Sequence, residues 1–276
     1  MKLPQITIIL LLIISVKILT GEIAVAQLQI APTAIYMDER NTTERIVIMN
    51  TSQEPVEVDI ELLFGYPSTD ELGNVYFKQP AADNDQPSAV EWIRIYPRFF
   101  VLAPGARQTV RFAARPPEDL PNGEYWARPA IVAQHPSVFS TQTDHSITTQ
   151  LNLRNRTIIA LNYRNGAIRT GIIVEDLLAE LVEGEITITV QLQRLGNAAY
   201  LGHYEVFVAD SYGNTLKTEK KEIAVYNNQM RAFRFNAYGL NPGQYNVELN
   251  IFTNERRTDG IIQAPPSTAT TSFTIP

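Results

Sequence analysis

Alternating apolar and polar positions run through most of this sequence and predict β-strands along nearly its whole length. The clearest run is residues 149–164, TQLNLRNRTIIALNYR, in which Leu151, Leu153, Ile159 and Leu161 share one face. A period of two over so many residues is typical of a strand with one face in apolar contact. Because this strand comes late in its unit, we expect it at a sheet edge, where unpaired backbone groups invite another chain to pair.

The other alternating segments divide the chain into two all-β units. Up to residue 164 the pattern predicts seven or more short strands separated by turn signals, with residues 65–88 as a long polar loop containing one short strand. Beyond the Asn165-Gly166 turn it predicts seven more strands. The predicted fold class is therefore all-β, with two tandem immunoglobulin-like β-sandwich domains at residues 27–164 and 165–276.

The N-terminal residues indicate where the chain works. A basic start, an apolar run at residues 6–16 and the small residues of Ala24-Val25-Ala26 match a secretory signal peptide. We expect residues 1–26 to be removed after Ala26 and the mature chain to be exported. An uncleaved membrane anchor is the alternative, although the apolar run is short for a membrane span.

Composition narrows the classes of function. The chain has 23 Lys and Arg against 29 Asp and Glu, a formal net charge of −6, which argues against nucleic acid or anionic lipid as the main partner. It has no cysteine, so an exported protein of this sequence depends on its hydrophobic cores rather than on disulfide bonds.

No group of residues points to catalysis, a metal or a cofactor. His135 and His145 lie in one loop region with Asp144 and Ser146, whereas catalytic triads are usually assembled from distant segments. Asp83-Asn84-Asp85 lacks the glycine and the final glutamate of an EF-hand calcium loop. We therefore predict a protein that is not an enzyme and has no cofactor, no metal and no small-molecule substrate.

Four segments of the first unit resemble the N-terminal domain of the PapD-like periplasmic pilus chaperones. Residues 38–50, ending in IVIMN, match the turn and second strand of that domain, and residues 99–111, FFVLAPGARQTVR, resemble its hydrophobic, Pro-Gly-basic, Val-Arg signature. Leu120-Pro121 followed by Glu124 and two aromatics, and the TIIALNYR ending of residues 157–164, complete the likeness. The second unit matches only in being a β-sandwich.

This resemblance implies a function in the assembly of surface fibres. Chaperones of the family lend the last strand of their first domain to a subunit that lacks its own final strand, without ATP. The partner would be an exported β-rich fibre or adhesin subunit in the periplasm, with a self-capping dimer as another use of the same edge. The lending strand would be residues 149–164, and its implied partner-binding residues are Leu151, Leu153, Arg154, Asn155, Arg156, Ile159 and Leu161.

The sequence departs from the family at two basic anchors, which grip the subunit's terminal carboxylate. Alignment of the matching segments places these anchors at Ala34 and Ala160, and alanine cannot replace a cationic grip. We therefore expect a divergent chaperone. Two alternatives stay open: Leu151 and Leu153 cover the domain's own core, which predicts the same alternation, or the chain is a structural or adhesive module of a surface assembly.

The resemblance also implies an ion pair at the junction of the two domains. The family places a glutamate beside the aromatics and an arginine after the last strand, which here are Glu124 and Arg164. We expect these two to pair and to help fix the angle between the sandwiches. Two separate surface charges are the alternative, since exposed ion pairs are often weak.

Overall fold

The structure is a computed structural model that describes residues 28–81, 86–134, 154–254 and 260–276. All the regular elements in these ranges are β-strands. The described part of the chain contains no helix with the length and apolar character needed to cross a membrane.

The first sandwich is built from strands β1 to β12, which form two packed sheets and a separate hairpin. One sheet has the order β1-β3-β9-β7, and the other has the order β2-β12-β10-β4-β8 with β11 also paired to β10; β5 and β6 form the hairpin. The bounds are β1 (Leu28–Ala31), β2 (Ala34–Asp38), β3 (Thr43–Asn50), β4 (Val56–Leu63), β5 (Tyr66–Thr69), β6 (Val75–Lys78), β7 (Ile93–Tyr96), β8 (Phe99–Leu102), β9 (Arg107–Ala114), β10 (Gly123–Gln134), β11 (Arg154–Ile158) and β12 (Ala160–Asn165).

The second sandwich is built from the remaining strands in the same way. Its sheets have the orders β13-β14-β17 and β16-β15-β18-β19. The bounds are β13 (Thr170–Val182), β14 (Glu185–Gly196), β15 (Tyr200–Asp210), β16 (Thr215–Val225), β17 (Gln229–Asn236), β18 (Gly243–Phe252) and β19 (Ser267–Ile275). The prediction of an all-β chain with two tandem immunoglobulin-like sandwiches is confirmed.

Each sandwich closes over its own apolar core because alternate residues of facing strands point inward. In the first core, Ile48 and Phe112 of one sheet meet Ile60 and Ile131 of the other. The second core is formed in the same way by residues that include Ile186, Val206 and Leu249.

The strand expected over residues 149–164 is present in its described part as β11 and β12. Ile159 separates the two, yet its amide donates to Pro129 O at 3.0 Å. The pairing with β10 keeps one register, with Ala130 opposite Ile158 and Ala127 opposite Leu161. The chain therefore follows β10 continuously from residue 154 to residue 165, while residues 149–153 lie outside the described part.

Residues 65–88 differ from the expected loop with one short strand, because β5 and β6 pair as a hairpin. The turn of this hairpin packs on β17 of the second sandwich. The Arg234 guanidinium donates to Leu72 O at 2.7 Å and to Asn74 Oδ1 at 2.9 Å, and Ala232 N donates to Gly73 O at 3.3 Å. These bonds to a distant strand order a segment whose polar composition is typical of a loop.

Gly73 offers a test of this contact between the hairpin turn and β17. The turn at Gly213 has the same internal hydrogen bonds but does not pack on another strand of the described part. A Cβ at Gly73 would lie 2.5 Å from Ala232 N, whereas one at Gly213 would meet nothing within 4 Å, and both residues have positive φ. We expect Gly73→Ala to lower the free energy of unfolding by about 1–3 kcal/mol more than Gly213→Ala, because only Gly73 adds steric overlap to the backbone strain. Urea unfolding of both variants measures the difference, and equal losses would contradict the docking.

Candidate functional site

The candidate strand-pairing edge is β11, whose five residues are all exposed. β11 pairs with β10, and no strand within the described ranges pairs with its other side. Because the Ile159 amide points at Pro129, alternation along an antiparallel ladder directs the amides of Arg154, Arg156 and Ile158 away from β10. The edge therefore presents a row of backbone groups that an added strand can pair with.

The side chains of β11 divide between the two faces of the sheet. Asn155 and Thr157 lie opposite Ala133 and Ile131, which are buried in the core, so they share the core-facing side. Arg154 and Arg156 lie on the outer side, opposite Gln134 and Val132. These two inward positions lie at the edge of the sandwich. A partner that added a strand to β11 would bring its own side chains next to them.

Four of the predicted partner-binding residues need separate comment. Leu151 and Leu153 lie outside the described residues. Ile159 and Leu161 are 3% and 0% exposed and belong to the core of the first sandwich. The expectation that Ile159 and Leu161 face a partner is therefore corrected: they fill their own domain, a distinction that alternation alone does not make.

Arg156 forms an ion pair across the sheet, away from the free edge. Its Nη2 lies 3.2 Å from Glu61 Oε2, and both side chains are about half exposed. Exposed pairs of this kind contribute little to stability, so Arg156 is held loosely on the outer face.

The two anchor positions of the family meet at one point in the structure. Ala34 and Ala160 are direct partners in the parallel pairing of β2 with β12, so neither strand supplies a cation there. Arg128, a cation that sequence reasoning missed, is 3% exposed and donates to Leu161 O at 3.3 Å and Asn162 Oδ1 at 3.2 Å. Its guanidinium thus points into the protein and does not replace the missing anchors at the surface.

Glu124 lies at the junction, where it forms an ion pair within the first sandwich and accepts a hydrogen bond from the second. Arg164 Nε donates to Glu124 Oε2 at 3.0 Å, with the glutamate side chain 1% exposed and the arginine side chain 16% exposed. Glu124 Oε1 accepts from Trp126 Nε1 at 3.1 Å and from the backbone N of Ala199, in the second sandwich, at 3.3 Å. The carboxylate is therefore almost fully desolvated, and each of its two oxygens accepts a hydrogen bond from the protein.

A small apolar core surrounds this carboxylate and closes the junction. Trp126 packs edge-on against Tyr226 of the second sandwich, with ring centroids 4.6 Å apart, and Leu201 and Ile261 belong to the same cluster. Burial raises the pKa of Tyr226, whose hydroxyl lies in this dry environment. The junction is thus built like a domain interior, which favours one fixed angle between the sandwiches.

The described residues contain no cluster of three or more side chains suited to hold a metal ion. His135, His145 and Asp83-Asn84-Asp85, weighed as chemistry-bearing groups in the sequence, lie outside those residues.

Comparison with known proteins gives matches only among solved structures. No family model and no curated protein matches the chain. A chaperone–tip adhesin pre-assembly complex, CsuC–CsuE, from the archaic chaperone-usher Csu pili of Acinetobacter baumannii is 13% identical over 88% of this chain and 98% of that chain, with a TM-score of 0.47. The YadV chaperone is 13% identical over 88% of this chain and 99% of that chain, with a TM-score of 0.47. The class 5 fimbriae chaperone CfaA is 14% identical over 91% of this chain and 100% of that chain, with a TM-score of 0.43.

The CsuC–CsuE complex is described as one of chaperone-usher pili and CfaA as a chaperone of fimbriae, whereas YadV is described simply as a chaperone. At these identities the similarity is one of fold.

Proposed function

We propose that this protein is a periplasmic chaperone that binds an exported β-rich subunit of a fibre or adhesin by β-strand addition. It lends the strand that contains β11, and it works without ATP. In this proposal residues 1–26 are a signal peptide cleaved after Ala26, and residues 27–164 and 165–276 are the two domains of the mature chain.

The observation that carries the proposal is the open outer side of β11. Edges of this kind are a liability that native proteins usually cover or shorten, and here the amides of Arg154, Arg156 and Ile158 are left facing outward within the described part. Each backbone hydrogen bond gained by an added strand contributes about 0.5–1.5 kcal/mol net. Backbone pairing also tolerates different client sequences, as a chaperone for several subunits requires.

The rigid junction supports the same function for a second reason. The buried Glu124 carboxylate, which accepts from Ala199 N of the second sandwich, and its apolar surroundings favour one angle between the two sandwiches. Preorganised surfaces lose less entropy on binding than mobile ones.

A structural or adhesive module of a surface assembly is the second candidate function. The observation that favours it is the pairing of Ala34 with Ala160, which leaves this point without the carboxylate anchor on which chaperones of the family depend. Such a module would use β11 for a permanent contact, whereas a chaperone releases its client.

Co-purification of the tagged exported chain with its client tests the proposal. We expect the native chain to bring down a β-rich exported polypeptide and Leu151→Asp/Leu153→Asp to lose at least about nine-tenths of it, because charged side chains cannot enter an apolar groove. The matched control is Leu178→Asp/Leu216→Asp, which changes two exposed leucines of the second sandwich. Circular dichroism confirms that each variant is folded.

Three results would count against strand lending. Equal loss in the control variant would mean a general effect of charge. Unfolding of the Leu151/Leu153 variant would place both leucines in the protein's own core. Recovery of the chain itself in assembled fibres would favour the structural module.

A further inference from the structure

The sheet β1-β3-β9-β7 has an outer face on the side of the first sandwich away from the core. Ile46 and Ile48 of β3, and Val110 and Phe112 of β9, are fully buried, so the residues between them point outward. Four of the outward side chains are arginines. We call this surface the arginine face: Arg45, Arg94, Arg107 and Arg111, with Tyr96, Val47 and Thr109 among them.

No carboxylate occupies an outward strand position of the arginine face. Besides the residues already named, those positions hold Gln29, Ala31, Thr43, Met49 and Ala113. This is unusual for a chain whose formal net charge is −6. The opposite sheet of the same sandwich has the reverse composition on β4, with Glu57, Asp59 and Glu61.

The arrangement of the arginines costs stability. Arg45 lies directly opposite Arg111, and Tyr96 lies opposite Arg111 on its other side. Like charges directly opposite each other on neighbouring strands are destabilising. Within the described ranges none of the four guanidinium groups has an ion pair; Arg107 contacts Met49 Sδ, and Arg94 donates to backbone carbonyls.

We propose that the arginine face binds an acidic surface of a second protein, at a site separate from the strand-lending edge. Guanidinium groups form forked hydrogen bonds with carboxylates, and a fixed sheet holds four of them in a defined pattern. Tyr96, 78% exposed, and Val47, 38% exposed, provide the apolar contacts that protein interfaces combine with charge. The arginines lie on the strands of a sheet rather than around an apolar loop tip of the kind that inserts into a bilayer, which favours a protein partner over lipid.

The chemistry of recognition can be measured with a defined acidic probe. Deca-glutamate peptide is titrated into the isotope-labelled exported chain, and the amide shifts are followed by NMR. We expect shifts confined to β3, β7 and β9, and a dissociation constant that rises at least about tenfold between about 50 mM and 500 mM NaCl, because exposed charges are screened. Arg45→Gln/Arg111→Gln should weaken binding at least about tenfold, as expected when two charge-assisted contacts are lost.

The control variant Arg40→Gln/Arg169→Gln removes the same charge from exposed positions outside the arginine face and should bind as the native chain does. Because Arg45→Gln/Arg111→Gln relieves the repulsion between opposite arginines, its melting temperature should be equal or higher, which separates lost binding from lost folding. An equal loss of binding in the control, or no peptide binding at all, overturns the proposal. Sedimentation with phosphatidylglycerol vesicles but no peptide binding overturns it in favour of lipid, and self-association abolished by Arg45→Gln/Arg111→Gln overturns it in favour of a second copy.

Discussion

Replacing Glu124 with glutamine should lower the free energy of unfolding by about 3–5 kcal/mol, the usual cost of removing one partner from a buried ion pair. The side chain is 1% exposed, and its carboxylate accepts from Arg164, Trp126 and the backbone of Ala199. A glutamine of nearly the same shape can keep the two bonds at one oxygen. It cannot keep the charge, so the Arg164 guanidinium is left without its counter-ion at the junction.

Urea unfolding followed by tryptophan fluorescence measures this loss, since both tryptophans of the chain, Trp92 and Trp126, are in the first sandwich and Trp126 lies at the junction. Glu61→Gln is the matched control. It removes the partner of Arg156 from an ion pair that is about half exposed, and we expect a loss under about 1 kcal/mol. If the two variants lose the same free energy, Glu124 does not contribute through burial and the fixed angle at the junction has another origin.

The strands and the turns between them could be predicted from the sequence, because alternation and turn chemistry depend on residues close together in the chain. The two sandwiches and the late strand at a sheet edge follow from such patterns, whereas the pairing of that strand with β10 is seen only in the structure. The roles of Ile159 and Leu161 do not, since a strand facing its own core and one facing a partner have the same period. Their burial is decided by Ile131 and other residues contributed by distant strands.

Two further features depend on distant contacts in a similar way. The β5–β6 hairpin is ordered by Arg234 and Ala232, which come more than a hundred residues later, so its polar sequence predicts only a loop with one short strand. The net charge does not reveal the arginine face, because it sums the charges of the chain, including those on both outer faces of the first sandwich. Only the register, which sets Arg45 opposite Arg111, reveals that four arginines lie together on one of them.

A proline at position 156 should weaken client binding about 10- to 100-fold while leaving the protein folded. The Arg156 amide points away from β10, so proline removes no hydrogen bond from the sheet itself, and edge strands tolerate proline where the missing N–H faces solvent. A client strand paired along β11 would lose one backbone hydrogen bond and meet the proline ring. Together these are worth about 1.4–2.8 kcal/mol for the expected change in affinity.

Two companion variants make this result specific to backbone pairing. Arg156→Ala removes the same side chain, with its Glu61 contact, but keeps the outward amide, so it should bind the client like the native chain. Thr157→Pro removes an amide that points at β10, so it should destabilise the first sandwich itself, with a lower urea midpoint. Client recovered with Arg156→Ala but not with Arg156→Pro, from equally folded proteins, is the pattern that β-strand addition requires. If Arg156→Pro binds as well as Arg156→Ala does, the client does not pair with this edge, and its contact must be made by side chains or by another surface of the molecule.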